Sequence, residues 1–299
     1  MFPAELKIID PTTIAPEGLD LPELRAMRIG VDVLRLDKIH PVISGNKWFK
    51  LREHLQIACA GNYRHILTFG GAWSNHIVAT AYAARSSGLR ATGFIRGEEP
   101  GTWSDTLVAA RSFGMDLKFI SRREYAAKDD PAFLRQLAGE APGGYVIPEG
   151  GGGAPGIKGS ADIGQWFDRT RYSHILCAMG TGTMFRGLAM ASLPGQILIG
   201  VPVLKGMKAP DTSLPACCRI EAGYHFGGYA RRPENLFSFM RQFYRDTGIP
   251  TDFVYTGKLC FAALDLARKG YFPAGSQLLV IHSGGLQGNR SLPPGALNF

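Results

Sequence analysis

The chain has 299 residues, 45% of them hydrophobic, enough to bury a large core and to form one big domain or two moderate ones. Its 33 lysines and arginines exceed its 25 aspartates and glutamates, giving a net charge of +8, but they are scattered along the chain, which argues against a nucleic-acid partner and is compatible with small anions. No apolar run approaches the roughly 18 to 20 residues that span a bilayer, the opening "MFPAELKIIDPTT" has no basic end followed by an apolar stretch, and the cysteines at 59, 177, 217, 218 and 260 lack CxxC spacing, so a cytoplasmic protein with reduced thiols and no membrane partner is expected.

Short runs rich in Ile, Val, Leu and Phe alternate with segments of helical period, the pattern of a parallel sheet covered by helices on both faces. Strands are predicted at Val31–Asp37, His65–Gly71, Ala91–Gly97, Leu117–Arg122, Tyr145–Gly150, His174–Gly180, Ile197–Leu204 and Leu278–Gly285. Helices are predicted at Lys47–Ala60, Asn75–Ser87, Thr102–Phe113, Ala161–Arg169, Thr183–Ser192, Asn235–Thr247 and Gly257–Lys269. The alternation predicts a doubly wound α/β protein, two lobes sharing a cleft, with Gly150–Gly156 as the linker between them. In such sheets ligands bind beyond the carboxyl ends of the strands, where most of the 38 glycines cluster.

Three strand exits carry chemistry. In "SGNKWFKL", Ser44 can cap a helix starting near Asn46, which sets Lys47 on the first turn and Lys50 one turn on. A lysine there opposes the helix dipole; in a dry pocket its amine would lose its proton readily and act as a nucleophile, whereas on the surface it would be a solvated charge. In "TFGGAWSNH", Ser74 and Asn75 open a helix, as caps or as groups facing a ligand. In "CAMGTGTMFRG", the amides of Gly180, Thr181, Gly182 and Thr183 precede a helix start suited to a phosphate. Phe185 stands where the third glycine of a dinucleotide fingerprint belongs, and "ILIGVPVL" ends without the acidic residue a ribose needs, so a nicotinamide-dependent dehydrogenase is disfavoured. A lysine amine with a phosphate cradle points to pyridoxal phosphate held as a Schiff base. His76, His225 and His282 form no spaced ligand set and are read as packing or supporting groups, so no metal is expected.

The order "SGNKWFKL", "TFGGAWSNH", "IPEGG", "AMGTGTMFRG", "YTGK" and "IHSGGLQG" resembles the pyridoxal-phosphate family that holds 1-aminocyclopropane-1-carboxylate deaminase and D-cysteine desulfhydrase, from about Val31 to Gly288. The resemblance implies the tryptophan-synthase-β-like fold (type II among pyridoxal-phosphate enzymes), two-lobed, with open twisted, mostly parallel sheets. It implies a larger cofactor-binding domain of residues 1–50 and 151–299, a smaller substrate-side domain of residues 51–150, and a homodimer. Residue by residue, it implies that Lys47 is the Schiff-base lysine, with Gly45 and Asn46 beside it at the cofactor. Asn75 is expected on the cofactor's phenolic oxygen, and Ser74 on the substrate carboxylate or in proton transfer. Gly180 to Thr183 become the phosphate cradle, and Tyr229 and Tyr255 face the substrate.

Two positions bear on the activity. Thr256 stands where the deaminases place a glutamate facing the pyridine nitrogen, and Ser283 where they have leucine, both as on the desulfhydrase side. A neutral hydroxyl leaves the ring a shallower electron sink than a carboxylate would, which suits expulsion of a good leaving group better than opening of a strained ring. The expectation is β-elimination on a small amino acid, D-cysteine first. 1-Aminocyclopropane-1-carboxylate deamination and a non-catalytic, regulatory cofactor-binding protein are the alternatives. The chain departs from the family after "IPEGG", where Gly152, Gly153 and Ala154 replace a Ser or Thr followed by Asn.

Overall fold

The computed structural model describes residues 14–140, 143–207 and 214–299; the opening stretch read above for an export signal lies outside them. In chain order the elements are β1 (Pro16–Gly18), α1 (Pro22–Ala26), β2 (Gly30–Arg35), α2 (Asn46–Ala60), β3 (His65–Gly70), α3 (Asn75–Ser86), β4 (Arg90–Arg96), α4 (Asp105–Ser112), β5 (Met115–Ile120), α5 (Arg122–Ala126) and α6 (Pro131–Glu140). They continue as β6 (Gly144–Ile147), α7 (Gly153–Ala161), β7 (His174–Met179), α8 (Thr183–Ala191), β8 (Ile197–Pro202), β9 (Cys218–Ile220), α9 (Glu234–Thr247), α10 (Thr256–Arg268) and β10 (Gln277–His282). All eight predicted strands form, and no helix among the described residues is long and apolar enough to cross a membrane.

Residues 40–159 make one compact unit, and residues 14–39 with 160–299 a second. The first is built on a sheet of order β5-β4-β3-β6, parallel throughout. Alternation along the central strand β3 sends Ile66 to a core shared with Leu51, Leu55, Ile77 and Leu107, while Leu67 and Phe69 point the other way to Phe94, Tyr125 and Leu137. Burial on both faces is why these strands read as continuous apolar runs. The alanines at 79, 81, 83 and 84 in α3 are all buried, and their small size lets the helix lie close to its neighbours.

The second unit is built on the order β1-β2-β10-β7-β8-β9, parallel except for β1, which runs antiparallel on the edge beside β2. Leu278 and Val280 of β10 join Val31, Val33, Leu176, Ile199 and Val201 in a core closed by the buried face of α10. Register pairs Val280 with Leu176 and Ile281 with Cys177, so the carboxyl ends of β10 and β7 finish side by side. The residues after them, Ser283 and Gly180, therefore leave the same edge of the sheet.

The helix predicted at Ala161–Arg169 is misplaced. Helix α7 occupies Gly153–Ala161 and is followed by a 3-10 turn over Asp162–Gln165. Four glycines and prolines in "GAPGIKGSA" argue against a helix by intrinsic propensity, and packing overrides it. Pro155 falls in the first turn, where a missing N–H breaks no helical bond. A β-carbon at Gly159 would sit 2.1 Å from the Phe49 carbonyl oxygen, so only glycine allows α7 to reach the backbone of α2. The change of unit falls inside α7, between Gly159 and Ser160, not in the glycine run proposed as a linker.

Gly159→Ala should destabilise the protein by about 1–3 kcal/mol in urea unfolding, because the obstructing atom is backbone and cannot turn away. Gly101→Ala, where an added β-carbon meets nothing within 4 Å, should stay within about 0.5 kcal/mol of the parent; equal effects at the two sites would refute the close-approach argument.

Candidate active site

The first unit assembles Asn46, Lys47, Ser74 and Asn75. Helix α2 starts at Asn46 as predicted, but Ser44 is not its cap. The N-cap position is Gly45, at φ 66° and ψ −142°, a residue with no side chain to make the capping bond. The backbone there needs glycine's conformational freedom, which a serine at that position would lack. Lys47 is half-buried and donates from Nζ to Asn46 Oδ1 at 2.9 Å. Lys50, one turn on, is buried.

Helix α3 begins on Ser74, which occupies the N-cap position without making the capping bond, so its hydroxyl is not spoken for by the helix. By contrast, Ser104 accepts from Leu107 N to cap α4, and Ser121 forms a full capping box with Glu124 on α5. The next residue, Asn75, buries its Oδ1 with no partner in the chain. Such an atom forfeits hydration and gains nothing unless a ligand meets it. Gly70 permits this corner: a β-carbon there would lie 2.9 Å from Ser74 Oγ and 2.5 Å from Ile77.

His76, the residue after Asn75, is buried and held by a hydrogen bond to β3. Thr68 Oγ1 donates to the Ile147 carbonyl at 2.8 Å and so accepts from His76 Nε2 at 2.8 Å. Burial first, then the charges of Lys47 and Lys50, push the His76 imidazole well below its ordinary value. The lysine turn and the Ser-Asn corner are thus close enough to interact, as two parts of one polar cluster. The run after β6 packs on α2 in the same unit: His54 Nε2 donates to the Gly152 carbonyl at 2.9 Å, and a β-carbon at Gly151, φ +73°, would meet Lys50 Cβ at 2.9 Å. Gly151, the last residue of "IPEGG", serves this approach.

The second unit assembles Gly180, Thr181, Gly182, Thr183, Tyr229, Tyr255, Thr256 and Ser283. The turn after β7 carries Gly182 at φ +79° as the N-cap of α8, again with no side-chain cap, and Thr181 and Thr183 set their hydroxyls 3.0 Å apart. Free amides, two hydroxyls and the positive end of a helix make an anion cradle. Tyr255 lies on it: a β-carbon at Gly180 would be 3.1 Å from Tyr255 Cε1 and 3.4 Å from its hydroxyl oxygen. Tyr229, exposed, stands edge-on to Tyr255 with ring centroids 6.2 Å apart.

Two residues that sequence reasoning passed over hold this half together. Buried Asp252 accepts from the amides of Val254, Tyr255 and Thr256 and from the Thr256 hydroxyl, at 2.6 to 2.9 Å. An aspartate four residues before a helical segment is a capping signal available in the sequence. Thr256 also accepts from Asp252 N at 2.7 Å. Its proton is therefore committed to Asp252. Ser283, at the same edge of the sheet, is also buried. Lys258 is buried on α10 and donates from Nζ to the carbonyls of His225 and Gly228 at 2.9 and 2.7 Å. His282, before Ser283, donates from Nε2 to the Pro250 carbonyl at 2.8 Å and sets Nδ1 3.0 Å from Asp37. Burial raises the Asp37 carboxyl, but the hydrogen bonds from the Arg35 guanidinium, with His282 beside it, outweigh burial and hold Asp37 far below the usual carboxylate range.

Parallel sheets with glycine-lined exits, an anion cradle and a lysine at a helix start define a phosphate-cofactor enzyme. The chain matches the family model described as pyridoxal-phosphate dependent enzyme over residues 19–284 and belongs to that family. It is 28% identical over 296 residues to a putative 1-aminocyclopropane-1-carboxylate deaminase of Pyrococcus abyssi, covering 88% of this chain and 87% of the relative. It is 27% identical over 282 residues to the mitochondrial bifunctional D-cysteine desulfhydrase/1-aminocyclopropane-1-carboxylate deaminase of Arabidopsis thaliana, covering 82% and 70%. A crystal structure of an ACC deaminase homologue superposes with a TM-score of 0.77 at 25% identity over 92% of this chain and 90% of that one. An O-acetylserine-dependent cystathionine β-synthase from Helicobacter pylori, at 18% identity and a TM-score of 0.63 over 89% and 90%, shares the fold. The fold is therefore the tryptophan-synthase-β-like one and the cofactor is pyridoxal 5′-phosphate. The residues fit it: an uncapped turn for the phosphate, the unmatched Asn75 Oδ1 and the Lys47 amine.

Burial pushes the Lys258 ammonium down to about 8, against a smaller opposing effect of Asp252. An unfolded lysine takes up its proton below its model value of 10.5, the folded one only below about 8. Stability should therefore fall as pH drops from 10.5 to 8 and level off beneath. Lys258→Met should flatten that slope in urea melts across this window; an unchanged slope would mean that Lys258 is not its source.

Proposed function

We propose that the protein is a pyridoxal-phosphate-dependent lyase that eliminates the β substituent of a small amino acid, with D-cysteine and water giving pyruvate, ammonia and hydrogen sulfide. The observation that carries the choice is the absence of an uncommitted carboxylate where α10 begins. Thr256 is uncharged, and the Asp252 carboxylate behind it is saturated by its own turn. Bound pyridoxal phosphate supplies a conjugated ring that draws the electron pair left at the α carbon.

The chain's residues do the rest. The Lys47 amine holds the cofactor's aldehyde carbon, is displaced by the substrate amine, and then moves the proton at the α carbon. Asn46, whose Oδ1 accepts from Lys47 Nζ, aims that amine. The Gly180–Thr183 amides hold the phosphate, Asn75 meets the phenolic oxygen, and Ser283 is the hydroxyl for the ring nitrogen. Ser74, not engaged in capping, takes the substrate carboxylate or a proton. The Tyr255 hydroxyl protonates the leaving thiolate, and Tyr229 covers the substrate. The names of the relatives support the second reading, 1-aminocyclopropane-1-carboxylate deamination to 2-oxobutyrate and ammonia.

Keto-acid release from the cofactor-loaded protein, with D-cysteine and 1-aminocyclopropane-1-carboxylate in parallel, separates the two. Pyruvate with sulfide from D-cysteine alone is expected; 2-oxobutyrate as the main product would transfer the assignment to the deaminase. Lys47→Ala should lose the absorbance of lysine-linked cofactor and at least about 10³-fold in turnover. A lysine-linked cofactor surviving in that variant would move the role to Lys50.

A further inference from the structure

The loop His225–Arg231 has no strand to hold it, yet its backbone is costly. Phe226 and Ala230 adopt left-handed conformations at φ 51° and 53°, and Gly227 and Gly228 are also at positive φ. Such conformations at residues other than glycine persist only where the surroundings enforce them. Inside the loop Gly227 N donates to His225 Nδ1 at 3.0 Å, Gly228 N to the His225 carbonyl at 3.0 Å and Arg231 N to the Gly228 carbonyl at 3.2 Å, bonds that tie the loop only to itself. From outside come the Phe226 ring, edge-on to Phe261 at 4.9 Å, and the Lys258 ammonium. Lys258 donates to two carbonyls three residues apart, those of His225 and Gly228, bracketing the strained turn immediately before Tyr229.

We propose that Lys258 is a positioning residue for substrate binding, a cross-link that fixes the 225–231 loop, and Tyr229 with it, against the start of α10 where Tyr255 stands. The inference rests on the reading of Tyr229 and Tyr255 as residues that face the substrate. A buried cation is expensive where it has no chemical task. A methionine would fill the same space but leave the His225 and Gly228 carbonyls only the loop's own amides of Gly228 and Arg231, so the ammonium is there for the two bonds that tie the loop to α10. Lys258 is not a nucleophile on this geometry, since its amine is wholly buried and aimed at carbonyl oxygens. Helix α10 thereby sets both tyrosines: Tyr255 directly through the Asp252 turn, and Tyr229 through Lys258.

The test compares Lys258→Met, Tyr229→Ala and the double variant in cofactor-loaded protein, with the substrate the parent turns over. Lys258→Met should raise KM about tenfold, the scale of one lost charge-assisted hydrogen bond, and leave cofactor absorbance and kcat nearly unchanged. The double variant should be no worse than the poorer single one, because both act through the same ring. Additive losses, or a loss confined to kcat, would overturn the proposal. The second readout needs no activity: trypsin should cut after Arg231 about tenfold faster in cofactor-free Lys258→Met than in the parent, and an unchanged rate would sink the cross-link. Where Lys258→Met does not fold, Lys258→Gln, which keeps a donor, should give intermediate cleavage and KM; parental values would count against the lysine. A parent that binds no cofactor would defeat the proposed function, while the cleavage comparison would still decide the cross-link.

Discussion

A parallel strand that passes straight into a helix leaves the first amides of that helix without partners, and their treatment decides what the protein can bind. This chain treats its helix starts in two ways. At α4 and α5 the hydroxyls of Ser104 and Ser121 accept from the free amides, and those starts are closed. At α2, α3 and α8 the N-cap positions are Gly45, Ser74 and Gly182, and none of these three residues makes a side-chain capping bond. Ser74 is the most telling, since the residue type that caps well is present and does not make the capping bond. Open starts carry unmatched positive potential. Lys47 on the first turn of α2 makes it worse locally, an arrangement that only an anionic or electrophilic ligand turns to advantage.

Much of this was legible in the sequence because it lies in short-range pattern. Strands buried on both faces read as apolar runs, and glycine clusters mark their exits. The order of six motifs identified the cofactor. What escaped depends on contacts distant in sequence. Helix α7 was shifted because propensity penalises "GAPGIKGSA", whereas the tertiary demand for close approach to Phe49 selects those glycines. Ser44 was expected as a cap, but the backbone at Gly45 takes a conformation that places the cap one residue later. Lys258 sits in "YTGK", beside two residues that were read, and its meaning requires the carbonyls of residues 225 and 228. Asp252 is legible from its spacing before the helix, as a capping residue.

The electronic argument at Thr256 changes form but not direction. From sequence the threonine was a neutral hydroxyl for the ring nitrogen. In the structure its proton belongs to Asp252, so Thr256 can offer a nitrogen only an acceptor. A carboxylate does stand behind it, and a charge relayed through a hydroxyl could in principle deepen the sink. Asp252 is poorly placed to do so. Three backbone amides and the hydroxyl already disperse its charge, and it cannot leave them without unmaking the turn that sets Tyr255. A glutamate at position 256, by contrast, could present its charge to the ring directly.

On the proposed reading this leaves catalysis to lean on proton placement more than on ring electronics. A shallow sink is adequate when the bond to be broken ends in a stable thiolate and departs soon after the α proton moves. That shifts the demand onto geometry: the amine of Lys47, aimed by Asn46, and the Tyr255 hydroxyl must each be held firmly in its own unit. The rigidity seen in each unit answers that demand. Asn46 Oδ1 holds Lys47, a three-member hydrogen-bonded chain through His76, Thr68 and Ile147 underlies Asn75, and Asp252 clamps the turn at Tyr255. Groups so tightly set lose little freedom as the reaction proceeds, which is where a protein with weak electronic leverage can still lower a barrier.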